Sequence, residues 1–235
     1  MNNLTPKLLS TVLPGAIVGL LIAGCGGSSS SGNGIGAKSP TEILQATKSA
    51  SAAAKSVHIA GSIVSGGKPI SLNMQLVAGQ GGKGTIAQEG FSIDLVQVGG
   101  NVYIDGSDAF YKHVAGATAA QLLDGKWLKA PADSGELASL AELTNLSKLI
   151  DSALASHGKL SKGKEETVSG QKAIGLKDTT KGGTLYVAST GSPYPVEILK
   201  GGSEGGTVTF SDWNKPVTLK APAGAISISE LQSGH

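Results

Sequence analysis

Apolar residues recur along this chain with two different periods, and the switches between them divide it into segments. Residues 8–24 are mostly apolar, but Ser10, Thr11, Pro14, Gly15 and Gly19 interrupt the run. It falls short of the roughly 20 predominantly apolar residues a membrane span needs. Ser39-Pro40-Thr41-Glu42 then combines a helix-capping serine, a proline at the first helical position and a glutamate at the third. That start predicts a helix to about Lys55, with Ile43, Thr47, Ala50 and Ala54 on one side, Leu44 beside them, and Glu42, Lys48 and Lys55 in water.

Period two follows. Val57, Ile59, Gly61 and Ile63 alternate with His58, Ala60, Ser62 and Val64; after a turn at Ser65-Gly66-Gly67, Ile70, Leu72, Met74 and Leu76 alternate with Ser71, Asn73 and Gln75. This predicts a hairpin with one apolar face. The glycine cluster 79–84 reads as a loop, 84–89 and 91–98 as a second hairpin, and Gly99-Gly100-Asn101 as a turn into Val102-Tyr103-Ile104. Connections this short require antiparallel pairing.

Short helical pieces are expected around Gly116 between 107 and 123, and Lys126-Trp127-Leu128-Lys129 reads as a strand. A longer helical region is predicted over 135–157. There Leu140, Leu143, Leu146, Ile150 and Leu154 form a broad apolar arc, widened by Leu137 and Leu149, with Thr144-Asn145 as a break. Strands are predicted at 163–169, 171–178, 184–188, 195–200, 206–210 and 217–219, giving about ten in all. The fold class is therefore α+β: a curved antiparallel sheet with helices covering its concave face, wide enough to leave an apolar cavity if the facing side chains do not meet. Ile59, Ile63, Leu72, Met74, Leu76, Ile93 and Leu95 on the sheet, with Leu140, Leu146, Ile150 and Leu154 on the helices, are the expected cavity lining.

The N-terminal segment sets the location. Lys7 and the free amine precede the apolar run and small residues follow it, as in a secretory signal. The run ends at Cys25, the one cysteine of the chain. Ile22-Ala23-Gly24-Cys25 resembles the bacterial lipobox, and the resemblance implies diacylglycerol on the Cys25 thiol, cleavage after Gly24 and a further acyl chain on the new amine. The competing reading of Cys25 is a buried thiol or an intermolecular disulfide. Residues 1–24 are read as a signal peptide, 25–39 as the lipidated cysteine with a flexible Gly/Ser tether, and 40–235 as one folded domain. Two or three acyl chains make a durable anchor where one does not. The expected place is the outer, extracytoplasmic face of the cell membrane.

Composition narrows the chemistry. Forty per cent hydrophobic residues argue against disorder despite 35 glycines. The net charge is +2 and all 19 basic residues are lysine, so the guanidinium forks that read phosphate and guanine are missing; nucleic acid is excluded as a partner. Gly79-Gln80-Gly81-Gly82-Lys83-Gly84 satisfies a nucleotide-loop spacing but precedes a strand rather than a helix. Ser65-Gly66-Gly67-Lys68 has a serine-enzyme spacing but occupies a turn, and no K-T-G follows. His58, His113, His157 and His235 fall in different elements without metal-ligand spacing, and Glu165-Glu166 point to opposite faces of a strand. No catalytic residue, metal or cofactor is assigned. Trp127, Trp213 and Tyr103 read as packing residues or as a cavity wall.

The lipobox, the Gly/Ser tether, the helix-then-meander order, Val102-Tyr103-Ile104, Lys126-Trp127-Leu128-Lys129, Pro193-Tyr194-Pro195-Val196 and the segment from Val208 through Ser211-Asp212-Trp213-Asn214-Lys215-Pro216 to Val217 together resemble the actinobacterial lipoproteins of the LppX/LprAFG type. The resemblance covers nearly the whole chain. It implies a lipid-carrier half-barrel of the LolA-like kind, acyl chains of a lipid or lipoglycan as ligand, and a membrane transporter as a possible partner. The alternative is a lipid-anchored structural or protein-interaction module with a filled core and no ligand.

Overall fold

The computed structural model describes residues 32–135, 137–155 and 157–233. Cys25 and the apolar run before it lie outside them. The helices are α1 (Pro40–Ala52), α2 (Asp108–Ala115), α3 (Ala117–Leu123), α4 (Leu137–Leu143), α5 (Leu146–Ala155) and α6 (Ile228–Ser233). The strands are β1 (Ser56–Ser65), β2 (Lys68–Val77), β3 (Gly81–Gln88), β4 (Phe91–Val98), β5 (Asn101–Gly106), β6 (Leu128–Pro131), β7 (Leu160–Val168), β8 (Gln171–Asp178), β9 (Thr184–Ala188), β10 (Pro195–Lys200), β11 (Gly206–Ser211) and β12 (Ile226–Ser227). They form one curved, unclosed sheet in the order β12-β6-β5-β4-β3-β2-β1-β11-β10-β9-β8-β7, antiparallel throughout except for the short parallel pair β12–β6. Two meanders thus meet at the β1–β11 ladder.

The alternating pattern sets the buried face. Register places Val57, Ile59, Gly61 and Ile63 opposite Leu76, Met74, Leu72 and Ile70, then Gly82, Gly84 and Ile86 on β3, Leu95 and Ile93 on β4, and Ile104 and Leu128 beyond. On the other side of β1, Ile59 faces Phe210 and Gly61 faces Val208. All of these residues share one face. Ser39 closes the predicted capping box on α1: its backbone N–H donates to Glu42 Oε2 at 2.8 Å, and its hydroxyl accepts from the Glu42 N–H at 3.4 Å. α1 buries Ile43, Leu44, Thr47 and Ser51 against the core.

Topology explains why helices lie on the concave face. The chain leaves β6 near one edge and next enters the sheet at β7, the opposite edge, ten strand steps away. A flat sheet would separate these by about 48 Å at the usual strand spacing. Curvature brings the two rims together, and α4 and α5 cross the gap.

The predicted helical region 135–157 forms two helices, α4 and α5, divided at Thr144-Asn145 as expected. Thr144 is fully buried beside Gly82 and donates its hydroxyl to Gln97 Oε1, while Asn145 Oδ1 caps α5 by accepting from the Lys148 N–H at 3.0 Å. The glycine run 79–84 is not a loop throughout: residues 81–84 belong to β3, where small residues admit neighbouring backbone and the Thr144 turn. No strand forms at 217–219; the chain instead returns to the sheet at β12. The described part of the predicted tether is mostly exposed but pinned to the domain, with one residue buried. Ile35, in a 3-10 turn (Ile35–Ala37), is 2% exposed, so its burial overrides the polarity of its neighbours.

The strand glycines make the bend possible. At Gly84 (φ 158°) a Cβ would overlap the Asn73 carbonyl oxygen and press on Met74, and at Gly61 (φ 153°) it would overlap the Thr207 carbonyl oxygen. Replacing Gly84 with Val should therefore cost about 3 kcal/mol of stability. Urea unfolding with an unchanged m-value checks it; a loss below about 0.5 kcal/mol would show that the crease tolerates a side chain.

Candidate functional site

Exposure changes along the concave face. On β1, Val57 and Ile59 are each 1% exposed while Ile63 reaches 39%. The end of the sheet where β1 starts is filled: Leu76, Val102, Phe210, Val187 and Ile174 from the strands pack in one cluster with Ile43, Leu146 and Ile150 from α1 and α5. At the other end, marked by the Gly66-Gly67 and Glu89-Gly90 turns, the same face is only half covered. Ile63 is exposed there and Ile70, Leu72, Ile86, Ile93, Val208 and Ile198 are half-buried, a strip of aliphatic side chains that would be the floor of an apolar trough.

Each side of this trough has a structural cause. On one side, Gly106 lacks the Cβ that would collide with the Phe110 ring, so α2 docks closely. The Tyr111 hydroxyl accepts from the Gly106 N–H at 3.0 Å, and burial holds the Tyr111 phenol above its ordinary pKa. His113 stacks on Phe91 with ring centroids 4.9 Å apart. On the other side, Leu44, Leu154, Leu160, Leu176, Leu185 and Ile198 line a pocket of about 290 Å³. A larger cleft, about 760 Å³, lies at the filled end, where Gln80, Gln97, Asp133, Glu142, Asn145 and Lys148 share the wall about equally with Val77, Val98 and three alanines. Volume alone would select this cleft; for an apolar ligand the chemistry of the lining favours the trough.

The structure sorts the eleven residues expected to line a cavity. The seven strand residues do share one face. Ile59, Met74, Leu76, Leu95, Leu146, Ile150 and Leu154 are at most 3% exposed and pack into the contiguous core. Leu72, Ile93 and Leu140 are half-buried against that core, and Ile63 alone is exposed. The trough therefore draws on Ile63, Leu72 and Ile93 from the predicted set. It adds Ile70, Ile86, Val208, Ile198 and Phe110, which the sequence reading did not name as lining. Ile70 and Ile86 continue an alternation that was visible in sequence; Val208 and Ile198 join only through the β1–β11–β10 ladders.

The remaining motifs resolve into structure. Ser65 and Lys68 are cross-strand partners flanking a turn, and the Lys68 Nζ pairs with Glu89 Oε2 at 2.7 Å. On the convex face His58 sits between Ser211 Oγ (3.1 Å from Nδ1) and Asn73 Oδ1 (2.7 Å from Nε2), a polar row across β11, β1 and β2. With Asn73 Oδ1 accepting from Nε2–H, Nδ1 accepts from the Ser211 hydroxyl. Among the described residues no group of His, Cys, Asp and Glu is arranged to hold a metal ion. Trp213 stacks on Tyr194 at 4.4 Å and donates Nε1–H to the Pro195 carbonyl at 3.1 Å. Asn214 accepts from the Lys55 N–H at 2.7 Å, so the Ser211–Pro216 segment ties β11 to the α1–β1 joint.

Two solved lipoproteins share this fold. LprF from Mycobacterium bovis superposes with a TM-score of 0.55 at 13% identity, covering 79% of this chain and 97% of that one. Lipoprotein LppX from Mycobacterium tuberculosis gives a TM-score of 0.50 at 18% identity, covering 77% of this chain and 98% of that one. At such identities the likeness is one of fold. No protein-family model and no curated protein matches the sequence.

Asp178 closes the rim of the 290 Å³ pocket. Its carboxylate accepts from the backbone N–H groups of Gly158 at 2.7 Å, and of Thr180 and Lys181 at 2.8 Å each; these bonds, the Gly158 bond first, hold its pKa below the usual carboxylate value. A depressed folded-state pKa gives stability that is present above the unfolded pKa and lost as pH falls through the folded one. Asp178→Asn should therefore unfold earlier than wild type at pH 7, with the two transitions converging below about pH 4. Thermal melts across pH check this, and a constant difference down to the acid limit would contradict it.

Proposed function

We propose that the protein is a lipid-anchored cell-envelope lipoprotein whose trough takes up the acyl chains of a lipid or lipoglycan and carries or presents them. The domain would be held at the extracytoplasmic face of the membrane by acyl chains on Cys25, after removal of residues 1–24. The observation that carries the reading is the half-covered apolar floor on the concave face. A sheet face is ordinarily buried against another layer, and a contiguous row of half-covered aliphatic side chains ending in the exposed Ile63 is the kind of apolar patch that a ligand covers. The sequence signal at 22–25 and the fold shared with two lipoproteins support the same assignment.

Affinity would come from chain methylenes at about 0.8 kcal/mol each, so two chains reaching the floor outweigh any headgroup contact. The packed positions of Ile59, Ile150 and Leu154 set a limit: longer chains could extend beneath α5 only if that helix moved off the sheet. The same packing favours the second reading, a filled interaction module that holds no ligand.

Gas-phase mass measurement of the acylated protein taken from its membrane separates the two. Acyl mass on Cys25 persists under denaturing conditions, whereas a lipid in the trough is lost; the same mass in both states would support the filled module. Ile93→Asp or Ile63→Asp should lower lipid affinity about tenfold with the fold retained. Ile150→Asp should instead unfold the domain, because it buries a charge in the core. Circular dichroism on all three variants distinguishes these outcomes.

A further inference from the structure

Beside the 290 Å³ apolar pocket lies a cleft of about 450 Å³ with a different lining. Leu44, His157 and Leu160 line both, so the two hollows adjoin. One wall of the cleft is a single face of α1, where Thr41, Leu44, Gln45 and Lys48 follow one another at helical spacing. The other is the joint between α5 and β7, residues 157–160. That joint is fixed to the β8–β9 turn: the Gly158 N–H donates to Asp178, the Lys159 N–H donates to Thr180 Oγ1 at 3.1 Å, and the Lys159 carbonyl accepts from the Thr179 N–H at 2.8 Å. The backbone that carries the Lys159 side chain is therefore held in place.

The cleft carries positive charge that the fold does not use. Lys48 is half-buried and Lys159 exposed, and among the described residues neither ammonium group makes a hydrogen bond or an ion pair. None of the described residues lining the cleft is an acid. The acids beside it are engaged elsewhere. Glu42 of α1 accepts from the Ser39 N–H and hydroxyl at 2.8 and 2.6 Å and is attracted by Lys38 and Lys162. Asp178, the acid in the lining of the apolar pocket, accepts from three backbone N–H groups and has Lys181 beside it. A hollow with unpaired cations and no acid in its wall attracts an anion, and Thr41 and Gln45 add a hydroxyl and an amide that can donate to its oxygens.

Ammonium groups suit a phosphate or a carboxylate, and the aliphatic walls next door, with Leu154, Leu176, Leu185 and Ile198, suit a hydrocarbon chain. Ile198 belongs both to this pocket and to the half-covered strip of the sheet. Resting on the reading that the trough takes acyl chains, we propose that the ligand is an anionic amphiphile, with one chain in the apolar pocket and its phosphate or carboxylate in the adjoining cleft between Lys48 and Lys159. Acyl chains alone do not distinguish one headgroup from another; the cleft does. A neutral lipid would bury the same chain and leave both ammonium groups without a partner.

The test is gas-phase mass measurement of the full chain, released from neutral detergent micelles after incubation with dodecyl phosphate, with dodecyl maltoside, which has the same chain and no charge, or with inorganic phosphate. Dodecyl phosphate should be retained at a concentration about tenfold below that needed for dodecyl maltoside, and inorganic phosphate should not be retained. Lys48→Gln with Lys159→Gln should remove this preference and leave dodecyl maltoside binding unchanged, whereas Lys48→Arg with Lys159→Arg should keep it. Lys55→Gln with Lys220→Gln, the same change of net charge outside the cleft, should also keep it. Circular dichroism checks that each variant is folded. Equal retention of the two amphiphiles, a preference that survives loss of both cleft lysines, or its loss in the Lys55 and Lys220 variant would overturn the proposal and leave the acyl-chain reading standing. Retention of inorganic phosphate as tight as that of dodecyl phosphate would assign the cleft to a free anion and overturn it as well. Retention of neither amphiphile would remove the acyl-chain reading and the proposal with it.

Discussion

The bend of the sheet is the constraint on which the rest depends. At Gly61 and Gly84 the neighbouring strand's carbonyl oxygen occupies the space a Cβ would need. Close approach of backbone at such points is what a strongly coiled sheet requires, and it is available only to a residue without a side chain. Without the bend the two rims would stand about 48 Å apart, nearly twice the roughly 25 Å that α4 and α5 span as helix, and the helices could not lie across the face from rim to rim. The helices would have no concavity to fill, and α1 would have no second wall. The high glycine content is therefore partly a statement about curvature and not only about turns.

Curvature also divides the concave face. Helices that run from rim to rim cover one end, where Thr144 fits against Gly82 and Leu146 and Ile150 complete the core. α2 and α3, inserted between β5 and β6, shield the β4–β5 side of the other end. Between them the floor stays half open. One continuous row of aliphatic side chains is thus a protein core at one end and lies half covered at the other, with no change in residue type marking the boundary.

That continuity explains how much was legible in the sequence. Alternation on β1 and β2, the capping box at Ser39 and the Gly66-Gly67 turn depend on neighbours in the chain, and all were predicted in place. Ile59 and Ile63 look alike in sequence. Only the helices above them, α1 and the distant α5, cover one and leave the other open. Gly81 and Gly82 read as loop in the sequence because a glycine needed for close approach and a glycine needed for a turn have the same composition signal. Ile35 was placed in the tether because a lone apolar residue among glycines shows no periodicity. The hydrogen bonds that hold Asn33 have no local sequence mark at all, since their acceptors are the carbonyls of Ala188, Ser189 and Gly191, at the end of β9 and in the turn after it.

An unclosed sheet keeps two free edges, and β7 is one of them. Its residues 161–167 are exposed and include Lys162, Lys164, Glu165 and Glu166, and its pairing with β8 shifts register between Lys162 and Glu165. Charge and irregularity on an edge discourage a second copy from adding its own strand there. The β12 edge is two residues long, too short to template a partner. These two rims therefore oppose strand-by-strand stacking of copies into fibres, a hazard that closing the sheet into a full cylinder would have removed together with the opening.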